Sequence, residues 1–173
     1  MISPQILQFD KFSDSRGDIN RIWLDSQYMA ARKEYTPASR RWPHLKDWCQ
    51  ENVAITNKNV LRGIHGNQDD NNWTLFTLLY GKIYLVWVNC IELNGFGGWK
   101  STRLVTANGG MQVLVPPGWG RAYYVESEVA VVHYRWTTPY EQQKQFTYRY
   151  DDYRFGILWP FKDPPILSER DTV

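Results

Sequence analysis

Polar and apolar positions in this chain alternate in short runs far more often than they recur at helical spacing. "TLFTLL" (74–79) is β-branched and leucine-rich, and "IYLVWVNCI" (83–91) is a long apolar run, with Tyr80-Gly81-Lys82 reading as a turn between them. "STRLVT" (101–106), Asn108-Gly109-Gly110 and "MQVLV" (111–115) read as strand, turn and strand, and "PPGWG" (116–120) as a rigid corner. "AYYV", "EVAVVHYRWTT" and "QFTYRY" continue the pattern. Helical signals are few. "SQYMAARKE" (26–34) has Asp25 or Ser26 as a cap and Tyr35-Thr36-Pro37 as a stop, and one short helical turn is expected near 43–48. "GFGG" (95–98) lacks the strand–loop–helix setting of a dinucleotide fingerprint and takes no nucleotide role. Many short strands, frequent turns and no internal repeat predict one all-β domain over residues 1–173, a double-sheet sandwich or jelly roll with one or two short helices.

Composition narrows the function. At 173 residues the chain can bury a sizeable core, and its net charge of +2 argues against an electrostatically driven nucleic-acid binder. The Arg40–Arg41 run is too short to change that and reads as a solvated loop. No apolar stretch has the length of a membrane span, and "MISPQILQFDKF" lacks the form of a signal peptide, so a cytoplasmic protein without membrane contact is expected. Cys49 and Cys90 make neither a disulfide framework nor a zinc site and read as reduced thiols. Aromatic residues make up 16%, which a β-rich core largely explains, although Tyr and Trp also line ligand sites.

Candidate chemistry concentrates on "LRGIHGN" (61–67). The three histidines, His44, His65 and His133, are far apart in sequence, so no metal site is expected. No Gly-x-Ser-x-Gly elbow supports a hydrolase. Acid–base catalysis needs less: a base near neutral pKa, a carboxylate to orient it, and an acid across the substrate. His65 suits the first role, and Gly63 and Gly66 beside it permit close approach of backbone or ligand. In "VAVVHYRW" (129–136), alternation puts Ala130, Val132 and Tyr134 on one face and Val129, Val131 and His133 on the other. Either His133 or Tyr134 can face a cavity, and the sequence pattern leaves the choice open.

Six ordered blocks resemble the dTDP-4-dehydrorhamnose 3,5-epimerase family of nucleotide-sugar epimerases. "VLRGIHG" follows Gln50-Glu51-Asn52, and "FSDSRGDI" (12–19) is similar to an F-x-D-x-R-G segment. "LLYGKIYLVWVNC" looks like the K-L-V…G-x-V strand pair, and "VPPGWGRAYYV" occupies the place of P-x-G-F-A-H-G-F. "VVHYRWTTPY" and "GILWPFKDPPILSERD" (156–171) are similar to the closing Y-K-T…Y and I-x-W-P…L-S-x-[KR]-D blocks. R-G-I-H-G together with "QFTYRYDD" looks closer to the branch acting on GDP-linked 4-keto-heptoses.

The resemblance implies a cupin-like jelly roll, a homodimer, no cofactor and no metal. It also implies a nucleotide-diphosphate-linked 4-keto sugar as substrate. It assigns His65 as the base, Asp171 as the carboxylate that raises its basicity and fixes its tautomer, and Tyr134 as the acid, so that Tyr134 faces in and His133 away. Gln50, Asn52, Arg62 and Tyr140 match substrate-contacting positions, and Arg16 a position that binds the diphosphate. A regular strand would send Arg62 and His65 to opposite faces, so both reach one cavity only if Gly63 sits in a bulge or bend or the long arginine wraps round. The chain departs from the pattern twice: Thr74 stands where the family has a lysine near the sugar ketone, and Arg121 where it has a second histidine. An enolate needs cations or strong donors at O4, and Arg121 is a candidate replacement. The expected reaction is epimerisation at C3, C5 or both. A non-catalytic jelly-roll module binding a nucleotide sugar or glycan is the alternative, and a ketoisomerase of the same fold a third reading, weakened by the missing second histidine.

Overall fold

The computed structural model describes residues 3–35, 42–91 and 95–172. In chain order, β1 (Gln5–Gln8) leads into a hairpin of β2 (Lys11–Asp14) and β3 (Gly17–Asn20), then α1 (Asp25–Tyr35). The strands β4 (Gln50–Asn57), β5 (Leu61–Asn67), β6 (Thr74–Tyr80) and β7 (Lys82–Asn89) follow. After them come β8 (Trp99–Val105), β9 (Met111–Val115), β10 (Trp119–Val125), β11 (Val129–Trp136) and the short β12 (Gln145–Thr147). Two five-stranded antiparallel sheets result. The first has the order β1-β9-β6-β11-β4 and the second β12-β5-β10-β7-β8.

The sandwich interior is filled by Phe76 and Leu78 of β6, Leu85 and Trp87 of β7, Val113 of β9, Tyr123 of β10 and Val132 of β11. The continuous apolar run of β7 has a physical reason: both faces are covered. Ile83, Leu85 and Trp87 point into the sandwich, while Val86 and Val88 pack outward with Ile64, Ala122 and Phe155 under the C-terminal segment. The first sheet is backed by Tyr28 of α1 and by Trp42 beyond the helix, which close over Leu7, Leu75 and Leu114. The double-sheet architecture and the helix both match the sequence pattern. The second helical turn is the 3-10 segment Leu45–Asp47, and the turn between β6 and β7 narrows to Gly81, whose φ is +94°. "QFTYRY" is strand only to Thr147; Tyr148 still exchanges two backbone bonds with Ile64 (3.0 and 2.9 Å) before the chain turns away. The helix stop at Thr36-Pro37 and the pair Arg40–Arg41 lie outside the described residues.

Candidate active site

A cavity of about 270 Å³ opens between the sheets. Its walls come from both: Asn52 on β4, Phe76 on β6 and Tyr134 and Trp136 on β11 from the first sheet, Arg62 and His65 on β5 and Arg121 and Tyr123 on β10 from the second. Ser168, Arg170 and Asp171 of the C-terminal segment close the rim.

The local fold of β5 explains how Arg62 and His65 share this cavity. His65 pairs with Arg121 of β10 and Arg62 with Tyr123, so three steps on β5 are matched by two on β10. The extra residue is a bulge, which resets the alternation and turns both side chains to one face. Gly63 sits at the irregularity with φ +113°, and a Cβ there would lie 2.4 Å from the Arg121 carbonyl oxygen. Only glycine fits that conformation and that approach. The Gly63–Ile64 peptide is cis.

Asp171 reaches His65 from the far end of the chain. A parallel bridge between Val60 and Ile166 and a bond from the Leu61 amide to the Ile166 carbonyl (3.0 Å) lay the C-terminal segment beside β5. The 3-10 turn Glu169–Thr172 then presents Asp171, and Arg149 holds the Thr172 carbonyl at 3.1 Å. The His65 Nε2 to Asp171 Oδ1 distance is 2.5 Å, and the Ser168 hydroxyl donates to Oδ2 at 2.7 Å. Asp171 is 2% exposed. Burial acts to raise its carboxyl, but the bonds from His65 and Ser168 and the Gly63 backbone amide outweigh it and hold Asp171 below the usual carboxylate range.

With Asp171 ionised, Nε2 of His65 carries the proton and Nδ1 the lone pair. Burial lowers the imidazole below its ordinary value of 6.5 even though Asp171 opposes it; Arg170 and Arg121 add to the lowering. Asp171 thus acts to raise the basicity of His65, and burial outweighs it. The carboxylate offsets only part of the burial effect, and the net result is a neutral imidazole at pH 7.

Tyr134 faces the cavity, with its ring edge-on to Phe76 at 5.1 Å and stacked on Trp136 at 6.0 Å. His133 points out of the sandwich to Glu51 (2.9 Å), and His44 caps the 3-10 turn near Leu45. Burial pushes the Tyr134 phenol well above 10, and Arg121 and Arg62 pull it back. Arg121 is half-buried with its guanidinium 6.0 Å from the Tyr134 ring, and among the described residues no carboxylate pairs with it. Burial draws it down to about 10, so it stays charged at neutral pH.

The remaining expected site residues divide. Asn52, Arg62, Arg121 and Tyr140 line the cavity. Gln50 does not; its Oε1 accepts from the Tyr140 backbone amide at 2.7 Å and so supports a lining residue instead. Thr74 is buried behind the wall, paired in register with Trp136 and Val115. Arg16 lies on the exposed β2–β3 hairpin, held by Asp14 at 2.6 Å, away from the cavity. Sequence reasoning missed Tyr123, Ser168 and Arg170. Tyr123 was findable as the position two past Arg121 on one strand face, and the other two flank Asp171 in "LSERD".

The sequence profile described as dTDP-4-dehydrorhamnose 3,5-epimerase matches residues 4–173. The chain belongs to the dTDP-4-dehydrorhamnose 3,5-epimerase family. It is 29% identical to the dTDP-4-dehydrorhamnose 3,5-epimerase of Pseudomonas aeruginosa, over 97% of this chain and 88% of that one. It is 26% identical to the Neisseria gonorrhoeae enzyme of the same name over 99% of its own residues, yet spans about half (47%) of that longer protein. The dTDP-6-deoxy-D-glucose-3,5-epimerase of Legionella pneumophila, solved with dTDP-4-keto-L-rhamnose, superposes with a TM-score of 0.82 at 25% identity, covering 98% of this chain and 85% of that one. The fold of this family member is thus the cupin-like jelly roll of the epimerases. No helix among the described residues is long and apolar enough to cross a membrane.

Proposed function

We propose that this epimerase-family protein inverts C3, C5 or both of a nucleotide-diphosphate-linked 4-keto-6-deoxy sugar or 4-keto-heptose. The observation that carries the reading is that His65 and Tyr134 stand on opposite walls of one cavity, His65 in the second sheet and Tyr134 in the first. Inversion requires that a proton leave one face of a carbon and return to the other. A C4 ketone acidifies the neighbouring C–H bonds. Neutral His65, its Nε2–H fixed on Asp171, takes the proton at Nδ1, and electrons move toward O4 as an enolate. Tyr134 then gives its phenolic proton to the opposite face. Arg121 is the charge available for the O4 oxyanion, since Thr74 is outside the cavity. Asn52, Arg62 and Tyr140 contact the sugar or its diphosphate. A binding module would need no base and acid set opposite one another, and the family is one of epimerases, so the non-catalytic alternative is not favoured.

The reading further takes the protein as a cytoplasmic homodimer. Val53 and Ile55 on the edge strand β4 and Tyr80 at the end of β6 are exposed apolar side chains of one sheet face, which supports an interface between copies. Arg16, on its exposed hairpin, would serve a bound diphosphate only across such an interface.

The test is deuterium incorporation. The protein is incubated in deuterated water with dTDP- and GDP-linked 4-keto-6-deoxy sugars, and C3 and C5 are followed by NMR. Label at C3, C5 or both, with inversion, is expected for at least one nucleotide. Label at neither carbon with either class, and none with a GDP-linked 4-keto-heptose, overturns the reading, and a His65→Ala variant that exchanges at the normal rate removes His65 as the base.

A further inference from the structure

Beside Arg121 the cavity adjoins a recess of about 10 Å³, room for one oxygen atom. The two spaces share Arg121, Trp136 and Gln145 as walls. The recess is polar: three amides, Asn67, Asn72 and Gln145, and the Thr138 hydroxyl line it. Its place follows from the strands. Asn67 stands two residues beyond His65 on β5, and Gln145 of β12 is its partner in register. Two residues of strand cover about 6–7 Å, so the recess lies one rung along from the reacting pair.

The amides are held with hydrogen-bonding capacity left over. Asn67 is 7% exposed and Asn72 8%. The Asp69 backbone amide, which only donates, bonds Asn67 Oδ1 at 2.8 Å. That fixes the amide's orientation, and no described residue accepts from the Nδ2 hydrogens of Asn67. Asn72 bonds the Thr138 hydroxyl at 2.5 Å and steadies the far wall. Gln145 Nε2 donates to the Glu141 carbonyl at 3.5 Å, which leaves its Oε1 as an acceptor. A hydroxyl placed between them accepts from Asn67 and donates to Gln145. A methyl group there does neither and leaves a buried donor unpaired.

We propose that Asn67 and Gln145 form a specificity site for a hydroxyl carried on the sugar side chain beyond C5, so that the protein prefers a hydroxylated C5 substituent to the methyl group of a 6-deoxyhexose. The proposal rests on the reading of the cavity as a 4-keto sugar site, with Arg121 at O4. Both neighbours of C4 bear a substituent that flanks Arg121. The 3-hydroxyl is bonded directly to a reacting carbon and stays with it between His65 and Tyr134. A side chain on C5 reaches one rung along.

The test compares sugars that differ by one oxygen. dTDP-glucose carries a hydroxyl on C6 where dTDP-6-deoxyglucose has a methyl group, and GDP-mannose and GDP-6-deoxymannose form the same pair. None of the four has a ketone, so none turns over, and calorimetry reads binding alone. On the nucleotide that the protein takes, the hydroxylated sugar should bind about tenfold more tightly or better. Gln145→Met should reduce that ratio to about twofold or less by weakening the hydroxylated sugar alone. Asn67→Leu should do the same, but it also removes the bond to Asp69, so Gln145→Met decides if it misfolds. Equal affinity of the parent protein for both members of a pair overturns the proposal, as does a ratio that survives Gln145→Met. Equal weakening of both members marks the 3-hydroxyl as the occupant and overturns it too.

Deuterium exchange separates this proposal from the reading beneath it. A 4-keto-heptose should exchange with a higher kcat/KM than the 4-keto-6-deoxyhexose on the same nucleotide. Exchange without that preference overturns the specificity site alone. Exchange with neither sugar overturns the epimerase reading and the specificity site with it.

Discussion

At the residue scale the site is a problem of charge in a dry place. His65 is held neutral by burial and in one tautomer by Asp171, and that combination sets its pH behaviour. Because its pKa in the folded protein lies below 6.5, the acid limb of kcat/KM is expected below that value, with activity falling as pH drops through it. Asp171→Asn removes both the orienting partner and the charge that supports protonation. The limb should move lower still, and turnover should fall by about 10³–10⁴-fold, the scale on which a misoriented base fails in a hydrolase triad. The same groups enter stability. Both folded-state pKa values are depressed, so on acidification the unfolded chain takes up protons first; stability from His65 declines below about 6.5, and that from Asp171 as pH falls through its own lowered pKa. Arg121 belongs to this scale as well. On the proposed reading, this half-buried guanidinium, with no carboxylate partner among the described residues, is the cation for the O4 anion. Arg121→Ala is expected to lower kcat by about 10²–10³-fold, in line with loss of an oxyanion donor, while melting near the parent temperature. Near-normal turnover would remove Arg121 from the oxyanion site.

At the element scale the decisive feature is the bulge in β5. A regular strand would send either Arg62 or His65 outward, and the extra residue against β10 brings both in. Its cost is concentrated on Gly63. Gly63→Ala forces a positive φ on a Cβ residue and drives that Cβ into the Arg121 carbonyl. We expect a destabilisation of about 1–3 kcal/mol, read by thermal or urea unfolding. Activity should drop disproportionately, because the register that aligns His65 with Arg121 is what the added methyl disturbs. Activity that merely tracks the folded fraction would argue that the bulge is incidental to the chemistry. Strand β11 shows the complementary case, where unbroken alternation sends Tyr134 in and His133 out to Glu51.

At the scale of the whole molecule the site is made by closure of the chain upon itself. His65 and Asp171 are 106 residues apart, and the contact depends on the C-terminal segment lying along β5. A chain ending at Ser168 keeps every strand of both sheets and loses the carboxylate. It should retain its far-UV circular dichroism and lose proton exchange by about 10³-fold or more. Collapse of the spectrum instead would show that the last turn is needed for the fold as well.

The alternation of apolar and polar positions, the turn glycines and the aromatic content determined by themselves that this chain makes an all-β sandwich with one or two short helices, because period-two burial and turn chemistry are local properties. The epimerase blocks were equally legible, and they named His65, Tyr134 and Asp171. What only the tertiary structure decided is which side chains meet. Gln50 and Arg16 match the family pattern and Thr74 takes the place of its lysine, yet all three stand outside the cavity, while Tyr123 and Ser168 enter it. The net acidity of His65 also waited on the fold, since desolvation depends on everything packed around the ring and not on its neighbours in sequence. A bulge adds one residue to a register that no single strand defines, and a contact spanning 106 residues exists only once two sheets have closed and the C-terminus has been laid across them.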